Sequence, residues 1–499
     1  MPFHSIFFQD YWLTRFVFLR LLGFVYFFAF LSLATQVVPL LGERGLTPAK
    51  QYLKVIEQHY GSKRKAFIQL PSIFWLRCSD TFLKTFAWTG VILSLVVLFG
   101  YANVPLLFLL WSIYLSFLHI GQVWYGYGWE TQLLETNFLA LFMVPLLDPR
   151  PFPSFAPPVP VMWLLLWLTF RMHIGAGLIK LRGDRCWRDL TCLYYHFETQ
   201  PIPNPLSPYF HFLPKLLLKF GTLWNHFIEL IVPFFIFVPG IVSWIAGLLL
   251  ISFQALLILS GNLAFLNWVT IVPIVAAFDD RVFSYILPDF IVQRAEAAAL
   301  QADPSTPIAT WILLIVVAWL SIPVVKNLFS RYQIMNTSFN QLHLVNTYGA
   351  FGSVGRKRYE LIMEGTDEEI LTAETKWKEY EFLAKPGNPQ KKLPIIAPYQ
   401  PRIAWQIWFA AMQNPEENPW LLHLIWKLLR NDALGLKLIT HNPFPGKPPK
   451  YIRVSYYLYR FAKPSSKKTW EREFAGLWLP PLSKDSWELE RYAMLYGWG

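Results

Sequence analysis

Apolar residues do not alternate along the first two thirds of this chain; they run on. Nine stretches, at 16–40, 82–100, 104–120, 132–147, 159–181, 223–239, 241–260, 262–277 and 309–328, are apolar nearly throughout. A helix rises about 1.5 Å per residue, so roughly 20 such residues cross the ~30 Å hydrocarbon layer of a bilayer. The pattern therefore predicts an α-helical polytopic membrane bundle of about nine spans over residues 1–329.

After about residue 330 the pattern changes. Segments 342–351, 358–364, 377–383, 451–461 and 470–479 are rich in Tyr, Trp, Val and Ile, with Gly, Pro and Asn clusters at 385–389, 441–449 and 463–466. Strands separated by turns require that pattern. Two stretches among them, 402–412 and 420–430, keep a helical period. In the second, Trp420, Leu421, Leu424, Ile425, Leu428 and Leu429 oppose His423, Lys427 and Arg430. Residues 330–499 are thus expected to form a C-terminal β-rich (α+β) soluble domain, large enough for its own core.

Two connections stand out. Residues 148–160, DPRPFPSFAPPVP, cannot be helix or central strand, because proline lacks a donor and fixes φ; they predict an ordered linker between two sub-bundles. The polar loop 182–222 carries Pro201, Pro203, Pro205 and Pro208, which exclude a continuous helix. It is expected to fold over the bundle ends, with Trp187, His196 and Glu198 packing or pairing there.

Composition supports a bilayer protein: 54% of residues are hydrophobic and only 15% charged. The first apolar run, with Arg15 and Arg20 inside it, reads as a retained signal anchor. The net charge of +12 comes mostly from residues 326–499, where 24 Lys and Arg face 16 Asp and Glu. These basic residues are dispersed, so the partners they predict are membrane lipids with anionic headgroups and no nucleic acid. Loop 42–81, with Arg44, Lys50, Lys54, Lys63, Arg64, Lys65 and Arg77, is cytoplasmic under the positive-inside rule. Segment 278–308, with Asp279, Asp280, Asp289, Glu296 and Asp303, prefers the other side. Reconciling the two is taken to need one short stretch that is re-entrant or not a true span.

The candidate chemistry lies in charges placed among apolar residues, which cost roughly 2.5 kcal/mol or more unless they are paired or wet. His173, Gly177 and Lys180 share one helix face, beside Arg171, and Gly175 and Gly177 invite close approach by a backbone or a ligand. Lys180 also sits near its span's end, where it can snorkel to the interface. Asn225, His226 and Glu229 form a second cluster. Their H-x-x-E spacing offers two metal ligands without a third, and an ion pair of Glu229 with Arg171 or Lys180 is the plainer account. Glu130 and Glu135 follow an aromatic-glycine run, 124–129, that suits a membrane interface. Arg188 and Asp189 are further candidates in the polar loop. Of the three cysteines, Cys186 and Cys192 would diverge on a helix, so separate reduced thiols are expected; a disulfide would need a loop and an oxidising compartment. No phosphate-binding Gly-rich loop, nucleophile elbow or H-E-x-x-H occurs, so no cofactor or metal is expected.

GYGWETQLLE at 126–135, GDRCWRDLTCLYYHFETQPIPNP at 183–205, WNHFIELIVPFF at 224–235, SGNLAFLNW at 260–268 and VNTYGAFG at 345–352 resemble the lipase maturation factor family. EYEFLAKPG at 379–387, WQIWFAA at 405–411 and HNPFPG at 441–446 extend the resemblance to the C-terminal third. What it implies is a multi-pass endoplasmic reticulum membrane protein with a large luminal C-terminal region. Its role would be chaperone-like, in the maturation of client proteins such as secreted lipases. A bacterial member would sit in the cytoplasmic membrane. The string GAGLIKL at 175–181 is also similar to the vitamin K-dependent γ-carboxylase. That similarity implies the alternative: a membrane enzyme acting on a lipid or exported peptide, with Lys180 as catalytic base and His173 or His226 assisting.

Overall fold

The computed structural model describes residues 10–302, 307–463 and 465–498; Asp303 and Pro464 lie outside the described residues. Six helices there are long and apolar enough to cross a membrane: Trp12–Leu41, Asp80–Leu98, Val159–Arg182, Lys215–Phe237, Ile241–Ser260 and Ile308–Phe329. Two shorter apolar helices, Val104–Ile120 and Leu266–Ala277, lie among them. The remaining stretch departs most from expectation. Instead of an apolar span over 132–147 there is a 13-residue helix, Gly128–Ala140, carrying Glu130, Gln132, Glu135 and Asn137 and buried along nearly its whole length. Its polar residues meet protein on every side, so it does not need the apolar surface that a lipid-facing helix requires.

The bundle has two ends, and hydrogen bonds identify them. At one, Asp280 accepts from the backbone N–H groups of Trp12, Leu13 and Thr14 at 2.8, 2.8 and 3.2 Å, filling three orphan donors of the first helix. There too Ala102 N–H meets the Pro149 carbonyl at 3.0 Å, Val104 N–H meets that of Pro145 at 3.2 Å, and Ser243 Oγ bonds the Ala277 carbonyl at 2.7 Å. The proline-rich linker is ordered because Arg15 reaches out of the first helix to the Phe155 carbonyl at 2.6 Å. The Nη1 of this buried guanidinium thereby gives an irregular backbone carbonyl its donor.

At the opposite end Gln36 bonds the Gln400 carbonyl at 2.8 Å, His423 the Leu46 carbonyl at 2.8 Å, and Asn262 the Pro394 carbonyl at 2.8 Å. Arg182 there reaches the Leu328 carbonyl at 2.7 Å. Every one of the nine stretches runs from one end to the other, and none doubles back. The expected re-entrant stretch is therefore absent among the described residues, and it was not needed: loops following a first and an eighth crossing already lie on opposite sides. A second consequence is less expected. The basic loop 42–79 and the C-terminal domain occupy the same end.

That domain is built on a four-stranded antiparallel sheet, ordered β2-β1-β3-β4: β1 Arg358–Thr366, β2 Lys378–Glu379, β3 Tyr451–Phe461 and β4 Trp470–Ser483. Register pairs Arg358 with Tyr459 and Phe461 with Trp470. β1 is central and buried on both faces: Leu361 and Met363 join the main core, while Ile362 packs with Tyr459, Phe461 and Trp470. Helices Arg402–Ala410 and Pro419–Leu428 form where the sequence period placed them. Two expected strands differ. The 377–383 strand shrinks to β2, and 342–351 keeps only an isolated bridge from Asn346 to Ser338, because the N–H and carbonyl of Asn346 are taken up by side chains of the bundle.

Candidate functional site

The short helix Gly128–Ala140 is where the membrane bundle and the C-terminal domain are joined. Glu130 and Glu135 are five residues apart, about 140° around a helix axis, so they face different partners. Glu130, fully buried, accepts from Arg402 Nη1 at 2.9 Å and from the Tyr114 hydroxyl. The same guanidinium donates to the Trp124 carbonyl at 2.5 Å and lies 3.5 Å from the Tyr125 ring centroid. Glu135 pairs with Arg171 and also accepts from Asn346 N–H at 3.0 Å, Asn346 Nδ2 at 2.9 Å and the Tyr348 hydroxyl at 2.7 Å. Arg171 completes the knot by donating to the Asn346 carbonyl at 2.8 Å. Both backbone polar groups of Asn346 are spent here, while Thr347 N–H turns to the Thr337 carbonyl at 2.9 Å.

Lys180 pairs with Glu229, whose second oxygen accepts from Asn225 Nδ2 at 2.6 Å. The ion pair expected for Glu229 is thus present, with Lys180 rather than Arg171 as its partner. The two glycines on this helix do what their spacing predicts. A Cβ on Gly175 would stand 2.4 Å from the Tyr348 carbonyl oxygen, and one on Gly177 2.6 Å from Leu230, so it is protein that approaches here. His173 Nδ1 bonds the Thr169 carbonyl at 2.8 Å, and its Nε2 lies 3.4 Å from Gln254, which Asn267 holds at 2.9 Å. His226 Nε2 turns to the Trp187 carbonyl at 3.1 Å, away from Glu229. The three residues of the enzyme alternative, Lys180, His173 and His226, each have a protein partner.

The polar loop folds over the bundle end as expected, clasped by the C-terminal domain. Trp187 Nε1 donates to the Phe351 carbonyl at 2.8 Å, the His196 ring packs on Phe351 with centroids 4.9 Å apart, and Glu198 accepts from Phe461 N–H at 2.8 Å. Cys186 and Cys192, expected as separate thiols, are joined in a disulfide with Cα atoms 4.8 Å apart. The divergence expected of a helix does not apply, because the helical turn stops at Arg188, Leu190 takes φ 57° and Thr191 N–H returns to the Cys186 carbonyl at 2.8 Å. Arg188 and Asp189 are exposed, and Asp189 pairs only with its neighbour Arg185 at 3.1 Å; neither enters the buried network.

Sequence reasoning missed the cations that close the joint. Arg402 answers Glu130, and Arg358, at the start of β1, donates to the carbonyls of Glu198, Gln200 and Pro201 at 2.9, 2.5 and 3.0 Å and to Glu360 at 2.5 Å. Arg358 thereby gathers the proline cluster of the loop onto the sheet, while Lys385 meets the other Glu360 oxygen at 2.7 Å. Asn262 is the matching uncharged clamp, bonding Pro203 and Pro394 carbonyls at 3.2 and 2.8 Å and accepting from Ile396 and Ala397 N–H at 2.9 and 3.1 Å. A signal for Arg402 existed: it is an isolated cation opening a mostly apolar helix, and Glu130 upstream lacked a cation of its own.

Histidines at this end are held neutral. Burial brings His196 down to about 4, with the Lys180 charge adding to the effect, and brings His423 to about 4 despite its bond to the Leu46 carbonyl. Burial, with His119 beside it, takes His343 to about 3.

The lipase maturation factor transmembrane domain family matches residues 13–285, and the lipase maturation factor C-terminal domain family matches residues 344–480. Lipase maturation factor 1 of Homo sapiens is 45% identical over 98% of this chain and 90% of its own length. Lipase maturation factor 1 of Mus musculus is 44% identical over 98% and 90%. Lipase maturation factor 2 of Xenopus laevis is 28% identical over 97% and 84%. No solved structure matches.

Glu130→Gln leaves the Arg402 guanidinium buried without its counter-charge, a change that costs about 3–5 kcal/mol. The expected outcome is a lower thermal midpoint in detergent and faster protease cleavage at the joint, whereas Lys378→Ala, which removes an exposed pair, shifts stability by less than about 1 kcal/mol. A second expectation concerns acid. In the unfolded chain the three histidines titrate near their ordinary 6.5, and in the folded chain only near 3–4, so the folded state binds fewer protons between those values. Stability is then full above about pH 6.5 and falls as pH drops through that window. Asp280, which burial raises to about 6, works in the opposite direction. Thermal unfolding from pH 8 to pH 5 checks the sign.

Proposed function

This chain belongs to the lipase maturation factor family, and from that premise we infer that it acts as a membrane-embedded, chaperone-like maturation factor whose clients are secreted lipases. The observation that carries the inference is the 45% identity to human Lipase maturation factor 1 across 98% of the chain, membrane bundle and C-terminal domain together. The closed pairing of Lys180 with Glu229 favours the same reading, since a base for an enzyme reaction needs a free nitrogen facing substrate.

The end of the bundle that carries the C-terminal domain is assigned to the endoplasmic reticulum lumen. The Cys186–Cys192 disulfide lies on that end, and such bonds persist in oxidising compartments. Loop 42–79 goes with it, against its positive-inside assignment. Part of its charge has a structural use, since Arg44 reaches Asp432 of the C-terminal domain at 3.2 Å.

Client contact is assigned to β4, an edge strand of the sheet. Its stretch 471–478 presents Phe474, 55% exposed, and Leu477, 47% exposed, beside a backbone edge that no other strand covers among the described residues. An incompletely folded chain can pair with such an edge, and side-chain pockets then select the sequence. Pro480 and Pro481 remove donors from the rest of the strand and so bound the usable length.

Two measurements test this. Phe474→Asp combined with Leu477→Asp is expected to cut the secretion of active lipase, and lipase recovery after mild crosslinking, several-fold while leaving the thermal midpoint unchanged. Undiminished secretion removes β4 from client contact. Lys467→Asn completes an Asn-x-Thr glycosylation acceptor with Thr469 on an exposed turn; expressed in animal cells, the variant is expected to gain a glycan, and its absence places this end in the cytosol.

A further inference from the structure

The polypeptide between the first two membrane helices does not hang free. Residues Ala49–Tyr60 and Lys63–Gln69 form short helices, and 70–76 returns across the Val104–Ile120 helix. Ser72 Oγ donates to the Ser116 carbonyl at 3.2 Å and Ser116 Oγ accepts from Ile73 N–H at 3.0 Å, which pins the return segment.

Against this crossing opens a groove of about 790 Å³, within the range of small-molecule sites. Its apolar walls include Phe67, Leu76, Phe108 and Trp111, and Lys63 and Arg64 also line it. From Ser116 to Phe108 the wall follows eight residues of one helix, about 12 Å, so the groove descends from the loop towards the apolar middle of the bundle. Leu76 is 84% exposed and Phe108 54% exposed, on the outer surface where hydrocarbon chains run.

Three observations say what fits. The groove is amphipathic in one direction, with cations on the loop side and hydrocarbon below. Among the described residues neither Lys63 nor Arg64 is paired with a carboxylate, although Arg44 and Lys50 of the same loop are. Beside the cations the lining is almost wholly apolar, and Phe67 is 47% exposed there, so the hydrocarbon part of the groove begins directly at the charged end.

We propose that this groove binds one anionic glycerophospholipid drawn from the surrounding bilayer. Its phosphate meets Lys63 and Arg64, and an acyl chain lies along Phe108, Trp111 and Leu76. An apolar client segment would satisfy the walls but leave both cations unanswered, which is why the lipid is the occupant. The site stands apart from β4 and does not depend on the client reading.

The test uses the full chain in phosphatidylcholine nanodiscs containing a trace of diazirine-bearing phosphatidylserine, with adducts located by mass spectrometry. Labelling is expected within 67–76 and 104–116, competed by unlabelled phosphatidylserine and not by phosphatidylcholine. Lys63→Glu with Arg64→Glu is expected to weaken competition about 30-fold, from roughly 1 kcal/mol for each basic residue at a membrane surface. Ser112→Trp, which fills the groove, is expected to abolish labelling there while an unchanged thermal midpoint shows the fold intact. Equal labelling by a phosphatidylcholine probe, or adducts only elsewhere, overturns the proposal. Competition by inorganic phosphate as strong as that by the lipid makes this an anion site without a lipid, and displacement by an apolar peptide but not by phosphatidylserine makes it a client groove; either result also overturns it.

Discussion

A carboxylate cannot be left alone inside an apolar bundle, and this chain has three that must be answered. Isolating such a charge costs several kcal/mol, so each one dictates where a cation or a set of donors has to be. Glu229 is answered within the bundle, by Lys180. Glu135 is answered partly within it, by Arg171, and partly by the backbone and side chain of Asn346. Glu130 has a hydroxyl donor within the bundle, Tyr114, but its counter-charge comes from the far side of the sequence, Arg402. The geometry of the whole molecule follows from those obligations, because the C-terminal domain is the source of donors that the membrane part lacks.

This arrangement also makes sense of the polar loop over 182–222. Its prolines at 201–205 keep the segment between its short helices irregular, so carbonyls there remain open, and Arg358 and Asn262 collect them. The disulfide shortens the same loop and brings Trp187 to the Phe351 carbonyl. Loop, sheet and bundle share one set of hydrogen bonds, and no single layer supplies enough partners for itself.

Much of this was legible in the sequence, for identifiable reasons. Long apolar runs and a shift to strand-like segments are properties of composition, and they located the helices, β1, β3, β4 and the two soluble helices. The i to i+7 spacing placed His173, Gly177 and Lys180 on a common face, and Glu229 was close enough in kind to be offered as the ion-pair partner. What could not be read locally was anything set by a distant segment. The 342–351 stretch has the residues of a strand, but the backbone groups of Asn346 at its middle go to Glu135 and Arg171, more than 170 residues earlier. The cysteine pair failed for a similar reason: six residues diverge on a helix, but the turn at Leu190 is imposed by the loop's packing.

The separation between Glu130 and Arg402, 272 residues, has a consequence for how the molecule is made. Ribosomes add roughly 5–20 residues per second, so the glutamate emerges some 15–55 s before its arginine exists. For that interval the short helix has a carboxylate with the Tyr114 hydroxyl but no counter-charge, and it is poorly suited to sit in lipid unaided. The nascent bundle must therefore keep this helix protonated, hydrated or sheltered until the last third of the chain arrives. A maturation factor of this design has a maturation problem of its own, and its final membrane architecture is sealed only after synthesis is nearly complete.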